Sequence, residues 1–157
     1  MDYREPPLCR HVVAAVLAIQ GDVVESVLEI GQTYWFESCV TEKDTARVIG
    51  SGDLEVLATP RLITLMEHAA YTLLEADLEE GQTSVGTNIN VSHTAASPVG
   101  TLIEIEAKIT SVRGRTINFT VSASDAGGKI GKGEHTRIIV DVKKFMEKAR
   151  RRISAEG

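Results

Sequence analysis

The chain has 157 residues, of which 17 are basic and 22 acidic, giving a net charge of -5. This length predicts one domain that can bury a proper core. Apart from the run of three arginines at 150–152 there is no basic block, which argues against nucleic acid as a partner. Cys9 and Cys39 are too few and too far apart for a disulfide framework or a zinc site. We therefore expect a cytoplasmic protein without a metal site.

Residues 1–26 are the least interpretable part of the sequence, and we expect a short helix or a flexible arm there. The domain itself is expected to span residues 27–157. Within the arm, residues 8–19 are mostly apolar, but they are fewer than the ~20 residues that a membrane span needs. They also lack the basic flank and the cleavage site of a signal peptide. We therefore expect no membrane partner.

Two segments precede the main helix. Aromatic and β-branched residues at 33–40 predict a strand after a turn at Gly31. Residues 42–57 contain a Gly-Ser-Gly-Asp run at 50–53 and show no sustained period, which predicts a flexible loop. Loops of this kind often cover a site.

One long helix is predicted to begin at Thr59-Pro60. Threonine as the N-cap and proline at the first helical position form a strong start signal, because the hydroxyl group accepts an otherwise unpaired amide. A broad apolar stripe follows at helical spacing. Its members are Leu62, Leu65, Met66, Ala69, Ala70, Leu73 and Leu74.

Glu67 lies on the shoulder of that stripe, beside Ile63 and Leu74. Desolvation there would raise the pKa of its carboxyl group unless a donor faced it. Glu67 is therefore a better acid, base or nucleophile candidate than the other carboxylates of the helix. The alternative is a solvated glutamate with no chemical task.

The stretch after the helix predicts a strand with one apolar face that ends in a histidine. The residues of that parity are Val85, Thr87, Ile89, Val91 and His93. A Ser-Pro-Val-Gly run at 97–100 then provides a turn. The imidazole group titrates near neutral pH, which suits general-base work. The alternative is a histidine that is merely hydrogen-bonded at a strand end.

Alternating apolar residues predict three more strands at 103–109, 117–123 and 130–142, before a short basic helix at 143–152. The order is strand, loop, helix, then four antiparallel strands. A helix this apolar needs a sheet to bury it. We therefore predict an α+β hotdog fold, in which a five-stranded antiparallel sheet wraps around one long central helix.

Three blocks of the sequence carry a family resemblance. They are Leu65-Met66-Glu67, the run from Gly86 to Gly100 that contains His93-Thr94-Ala95-Ala96, and Gly131-x-Gly133-x-His135-x-Arg137. In this order and at these separations they resemble the fluoroacetyl-CoA thioesterase family of hotdog proteins, over roughly residues 28–148.

The resemblance implies hydrolysis of an acyl-coenzyme A thioester, without a cofactor. The threonine, glutamate and histidine of the family match Thr59, Glu67 and His93. In one mechanism His93 deprotonates the attacking water while Thr59 and Glu67 orient the water and the histidine. In the other, Glu67 attacks the thioester carbonyl, and a water activated by His93 then cleaves the anhydride. Both mechanisms stay open.

Three further residues are candidates for substrate binding. The backbone of Gly86 is a candidate for close approach to the thioester, as the family pattern also suggests, but relief of packing against the helix explains a glycine equally well. His135 and Arg137 are either structural or contacts of the coenzyme A phosphates.

The family pattern also implies a homodimer, or a tetramer, with Thr59 and Glu67 from one chain and His93 from the other. This chain lacks the phenylalanine that family members carry in the lid, here residues 49–57. A general short-chain acyl-CoA substrate is therefore expected, rather than fluoroacetyl-CoA specifically. A non-catalytic acyl-CoA binding or sensing protein is the main alternative. A hotdog enoyl-CoA hydratase is another, although the helix has Glu67 and His68 adjacent and lacks the pair typical of hydratases, an aspartate with a histidine a few residues later.

Overall fold

The computed structural model describes residues 28–154. In chain order its elements are strand β1 (Thr33–Cys39), a 3-10 turn (Glu42–Asp44), helix α1 (Ala46–Ile49), helix α2 (Thr59–Glu75), strands β2 (Gln82–His93), β3 (Leu102–Arg113), β4 (Thr116–Asp125) and β5 (Gly128–Asp141), and helix α3 (Val142–Ser154). The predicted extension at 1–26 lies outside the described residues. Between residues 28 and 154, no helix is long and apolar enough to cross a membrane.

The five strands form one antiparallel sheet in the order β1-β3-β4-β5-β2. Helix α2 packs against one face of this sheet, where the core lies. The alternating apolar positions predicted for β3 and β4 are all buried there: Ile103, Ile105, Ala107, Ile109, Ile117, Phe119, Val121 and Ala123. The predicted five-stranded antiparallel sheet is confirmed, and β1 and β2 are its two edges.

Helix α2 buries its predicted stripe, because all of the stripe residues are among its buried positions. The start of the helix differs from the prediction by one residue. Ala58 is the N-cap, Thr59 is the first helical residue, and Pro60 follows it. The predicted cap at Thr59 is therefore wrong, because the Thr59 side chain bonds to another element of the fold.

Strand β2 carries a bulge just after Gly86. Residues directly opposite in an antiparallel pair share a face of the sheet. Gly86 is opposite Arg137 and His93 is opposite Gly131. Arg137 and Gly131 are an even number of residues apart on β5, so they lie on the same face of that strand. Gly86 and His93 therefore lie on the same face. The predicted parity is wrong before the bulge, where the extra residue turns Val85 to the other face.

The segment at 42–57 is organised rather than structureless, contrary to the prediction of a flexible loop. It contains the 3-10 turn and α1, whose N-cap Thr45 accepts a hydrogen bond from the amide of Val48. Isolated bridges pair Thr45 with Leu57, and Val56 with Pro98 in the loop after β2. These contacts hold the segment over the N-terminal end of α2.

Candidate active site

Thr59 and His93 form the first half of the site. Thr59 Oγ1 lies 2.9 Å from His93 Nδ1, so the hydrogen bond joins the first turn of α2 to the end of β2. The hydroxyl group makes this bond instead of a capping bond, and Ala58 occupies the N-cap position without a side-chain cap. The pair forms within one chain, so the expectation that Thr59 and His93 come from different subunits is wrong.

The other ring nitrogen of His93 has no such bond. His93 Nε2 is buried and makes no hydrogen bond to the part of the chain that the structure describes. Leaving a buried polar atom unpaired costs roughly 1–3 kcal/mol, so a ligand that pairs with it binds favourably. When Nδ1–H donates to Thr59, Nε2 carries the lone pair. This tautomer is the one that a general base requires.

A cleft of about 350 Å³ opens beside this pair. The 42–57 segment forms one wall, and the loop after His93 forms the other. Apart from Thr59 and His93, the lining residues are small, aliphatic or hydroxyl-bearing: Ala46, Ser51, Val56, Leu57, Thr94, Ala95 and Ala96. The volume is near the lower limit for small-molecule sites, so the cleft suits a small organic group.

Glu67 forms the second half of the site, where it lies against β2. A Cβ atom added to Gly86 would lie 2.8 Å from Glu67 Oε1 and 3.0 Å from His135 Cε1. A glycine is therefore required at position 86 to let the carboxylate approach the strand. The side chain of Glu67 is 40% exposed, which agrees with its predicted place on the shoulder of the helix.

His135 and Arg137 lie behind Glu67, and they are only 1% and 6% exposed. His135 Nδ1 is 2.7 Å from the carbonyl oxygen of Asn88, and Arg137 Nη1 is 3.2 Å from His135 Nε2. Arg137 also donates to the hydroxyl and carbonyl oxygens of Ser84, at 2.8 Å and 2.9 Å. A carbonyl only accepts and a guanidinium group only donates, so His135 is the neutral Nδ1–H tautomer.

The charges of this group follow from its burial. Burial lowers the pKa of His135 and Arg137 adds to that shift, whereas the Asn88 carbonyl and Glu67 oppose it. Burial also lowers the pKa of Arg137, and Glu67 opposes that shift too. His135 Nε2 and Glu67 Oε1 are 3.9 Å apart, but a neutral His135 makes no ion pair. The positive charge behind Glu67 is that of Arg137.

The two halves of the site are separate within one chain. Thr59 and Glu67 are eight residues apart on α2, which corresponds to about 12 Å along the helix axis. The side chain of Thr59 is bonded at the end of β2, whereas that of Glu67 lies against Gly86 nearer the start of the strand. The structure thus joins Thr59 to His93, and it groups Glu67 with Gly86, His135 and Arg137.

Sequence reasoning did not single out the residues that hold this second group. Ser84 and Asn88 accept the hydrogen bonds of Arg137 and His135, and the guanidinium carbon of Arg137 lies 5.8 Å from the centre of the Tyr71 ring. Ser84 has the same strand parity as Gly86, and this was the signal that could have identified it. It was missed because the predicted strand had one regular parity throughout, which placed Ser84 and Gly86 on the face opposite to His93.

Residues 28–154 contain no cluster of three or more histidine, cysteine, aspartate or glutamate side chains that could hold a metal ion. The site is instead made of two imidazoles, those of His93 and His135, with the hydroxyl of Thr59, the carboxylate of Glu67 and the buried guanidinium group of Arg137. Such groups perform acid–base and nucleophilic chemistry on a carbonyl carbon.

Comparisons with known proteins agree with this chemistry. A family model described as "FlK: Fluoroacetyl-CoA-specific thioesterase" matches residues 40–143. A fluoroacetyl-CoA thioesterase from Streptantibioticus cattleyicolor is 41% identical over 101 residues, which cover 64% of this chain and 73% of that relative.

Solved structures agree in fold. A variant of the fluoroacetyl-CoA-specific thioesterase FlK superposes with a TM-score of 0.77 at 33% identity, covering 81% of this chain and 98% of that one. The same variant has also been solved in complex with fluoroacetate and CoA, with a TM-score of 0.72 at 34% identity and coverage of 75% and 99%. A hot-dog-like protein from Thermanaerovibrio acidaminovorans, 22% identical, shares the fold with a TM-score of 0.73 over 78% of this chain and 91% of that one. The chain belongs to the fluoroacetyl-CoA-specific thioesterase family.

Proposed function

We propose that the protein hydrolyses the thioester of a short-chain acyl-coenzyme A, releasing the free acid and coenzyme A. The observation that carries the proposal is the imidazole of His93, which is tied at Nδ1 to Thr59 and unpaired at Nε2, beside a small cleft. Membership of a thioesterase family supports the same reaction.

In the general-base mechanism, His93 Nε2 takes a proton from a water molecule whose oxygen attacks the thioester carbonyl carbon. The tetrahedral intermediate then collapses, the carbon–sulfur bond breaks, and the imidazolium group returns the proton to the coenzyme A sulfur. Thr59 is a positioning residue in this scheme, because its oxygen accepts a hydrogen bond from Nδ1–H and holds the orientation of the ring. Backbone amides, for which Gly86 is our candidate, stabilise the oxyanion.

Glu67 fits either of two roles. As a carboxylate it can orient the attacking water, or it can attack the carbonyl carbon and form an anhydride that water then cleaves. Arg137 and His135 lie behind Glu67 and are buried, so they can hold the glutamate in place in either role. Mass spectrometry of the intact chain after rapid quenching separates them, because only the second role leaves an acyl group on Glu67.

A homodimer paired through β2 explains how the two halves of the site meet. Strand β2 is a sheet edge of 12 residues, and a long unpaired edge is a template for a second strand. In a twofold antiparallel pair centred midway between Gly86 and His93, Gly86 of one chain lies opposite His93 of the other. Glu67 lies against Gly86, so each site combines Glu67 of one subunit with the Thr59–His93 pair of its partner.

His135 and Arg137 act through Glu67 in this proposal, rather than on the coenzyme A phosphates. Both side chains are buried, and their nitrogen atoms are engaged by Ser84, Asn88 and each other. A phosphate group approaching from solvent would have to displace these contacts. The proposed substrate contact in this group is therefore the backbone near Gly86.

The wall of the cleft contributed by residues 46–57 carries alanine, serine, valine and leucine and no phenylalanine. Without an aromatic residue to select one small acyl group, we expect acetyl-CoA and fluoroacetyl-CoA to be hydrolysed with kcat/KM values within about ten-fold of each other. The cytoplasm, where acyl-CoA is made and used, is the proposed location.

Release of free coenzyme A from a panel of short acyl-CoA thioesters tests the proposed function. We expect hydrolysis by the wild type and at least a hundred-fold lower kcat in His93→Ala and Glu67→Gln, with unchanged thermal unfolding. Thr64→Val is the matched control, because Thr64 is an exposed helical residue whose hydroxyl donates only to the carbonyl of Pro60. Acyl-CoA that binds without being hydrolysed by the wild type would favour the non-catalytic alternative.

A further inference from the structure

Helix α3 has an apolar face that the described chain leaves largely open to solvent. None of its residues is buried. Four large apolar side chains are between 40% and 64% exposed: Val142, Phe145, Met146 and Ile153. On a helix these positions, with Ala149, fall within an arc of about 100°. The face therefore forms a continuous apolar stripe along a helix of 13 residues.

The stripe is bordered by cations on both sides. On the helical wheel Lys143 and Arg150 lie along one border, while Lys148 and Arg152 lie along the other. The single acidic residue of the helix, Glu147, lies away from the stripe and is 3.8 Å from Arg151. Every border position that carries a charge therefore carries a positive one.

The charge of α3 is opposite to that of the rest of the chain. The helix has six basic residues and one acidic residue, so its net charge is +5. The whole chain has a net charge of -5, which leaves -10 on the other residues. This asymmetry concentrates the positive potential of the protein on one exposed, amphipathic helix.

We propose that α3 docks the protein on an anionic membrane surface. The helix would lie in the plane of the interface, with its stripe among the first acyl carbons and its lysines and arginines among the lipid phosphates. The border charges disfavour packing against α3 of a second copy, because a symmetric pair would bring like charges together along both edges. The lack of a segment long enough to span a bilayer predicts no membrane partner, but a helix that lies at the membrane surface needs no such segment.

The inference is independent of the proposed enzymatic activity, because α3 contributes no residue to either half of the site. It is tested by co-sedimentation of the full chain with vesicles of phosphatidylcholine alone or mixed equally with phosphatidylglycerol. We expect binding to the mixed vesicles at low salt, much weaker binding to phosphatidylcholine alone, and loss of binding in high salt.

Two pairs of substitutions separate the contributions of the helix. Arg150→Gln with Arg152→Gln should weaken vesicle binding roughly thirty-fold, since each cation near an anionic surface contributes about five-fold. Phe145→Ser with Met146→Ser should weaken it about ten-fold or more, because the apolar anchor is lost. Lys108→Gln with Arg113→Gln removes two exposed cations from β3 and should leave binding within about two-fold of the wild type.

The opposite results would overturn the proposal. These are no binding of the wild type to the mixed vesicles, or unchanged binding by the Phe145→Ser and Met146→Ser variant. A smaller oligomer for that variant, together with no vesicle binding by the wild type, would show instead that a second copy covers the stripe. Thermal unfolding should stay unchanged in all three variants, because the substituted side chains are exposed.

Discussion

At the scale of single residues, the hydroxyl group of Thr59 has one task, which is to hold His93 at Nδ1. Thr59→Ser keeps the oxygen, and we expect its kcat to stay within about ten-fold of the wild type. Thr59→Val keeps the shape and loses the oxygen, so we expect kcat to fall about a hundred-fold. Steady-state kinetics of both variants check this. Equal activity of serine and valine at position 59 would contradict the role of the hydrogen bond.

The carboxylate of Glu67 lies against residue 86 and explains why that residue is a glycine. In Gly86→Ala the new Cβ would meet Glu67 Oε1 at 2.8 Å, and the end of the flexible glutamate would swing away. We expect kcat to fall at least ten-fold, while the unfolding free energy drops by about 1–2 kcal/mol because the Cβ atom also lies 3.0 Å from Cε1 of the buried His135. A large loss of stability with an unchanged kcat per folded molecule would show that Gly86 serves packing alone.

His135 makes stability depend on pH in a definite direction. Its pKa is lowered in the folded protein, so the unfolded chain binds a proton that the native state excludes. The free energy of unfolding should therefore fall as the pH drops below the unfolded pKa of about 6.5. Denaturant unfolding between pH 5 and 8 should show this slope in the wild type and a smaller one in His135→Gln. His68→Gln, which removes an exposed histidine, is the matched control variant.

At the scale of elements, one ion pair joins the 42–57 segment to α2. Arg61 Nε lies 2.6 Å from Asp44 Oδ1, and the Thr41 amide and hydroxyl groups both donate to Asp44 Oδ2 at 2.8 Å. Burial alone would raise the pKa of Asp44, but these hydrogen bonds and the charge of Arg61 outweigh it and lower the pKa. The stabilisation is therefore present above about pH 4 and is lost as the carboxylate is protonated at lower pH.

Removing that carboxylate should loosen the wall of the cleft. We expect Asp44→Ala to lower the free energy of unfolding by about 2–4 kcal/mol, because Arg61 and the Thr41 amide lose their acceptor. Glu55→Ala is the control, since its pair with Arg47 is exposed on both sides and should contribute less than about 1 kcal/mol. Equal destabilisation by the two substitutions, measured by denaturant unfolding, would contradict this account.

The elements show which parts of the fold could be predicted from the sequence. The stripe of α2 and the alternation in β3 and β4 follow directly from burial, so periodicity predicts them well. The bulge after Gly86 depends on pairing with β5. The ordered structure of the 42–57 segment depends on the Thr45–Leu57 bridge within it and on the bridge from Val56 to Pro98. Such contacts are distant in sequence and leave no local period.

The candidate site was predictable to a similar degree. Thr59, Glu67 and His93 could be selected from the sequence by residue type and by family resemblance. Their grouping could not, because it depends on which residue caps α2 and on the register of β2. Ser84 and Asn88 were missed because their roles are hydrogen bonds to Arg137 and His135, more than 45 residues away.

At the scale of the whole molecule, the proposed dimer needs two chains for each working site. In that dimer one subunit would supply the base and its positioning hydroxyl group, and the other would supply the carboxylate and the buried cation behind it. A separated monomer should therefore lack a complete site. When the protein is diluted, its activity should fall in proportion to the population of dimers.

The most direct measurement is the activity of a purified heterodimer of Glu67→Gln and His93→Ala chains, isolated through two different affinity tags. If each site combines Glu67 of one chain with His93 of the other, one site of the heterodimer is intact and the second is doubly damaged. The heterodimer should then show about half of the wild-type activity per dimer, whereas both homodimers are inactive. A heterodimer as inactive as the two homodimers would contradict the shared site.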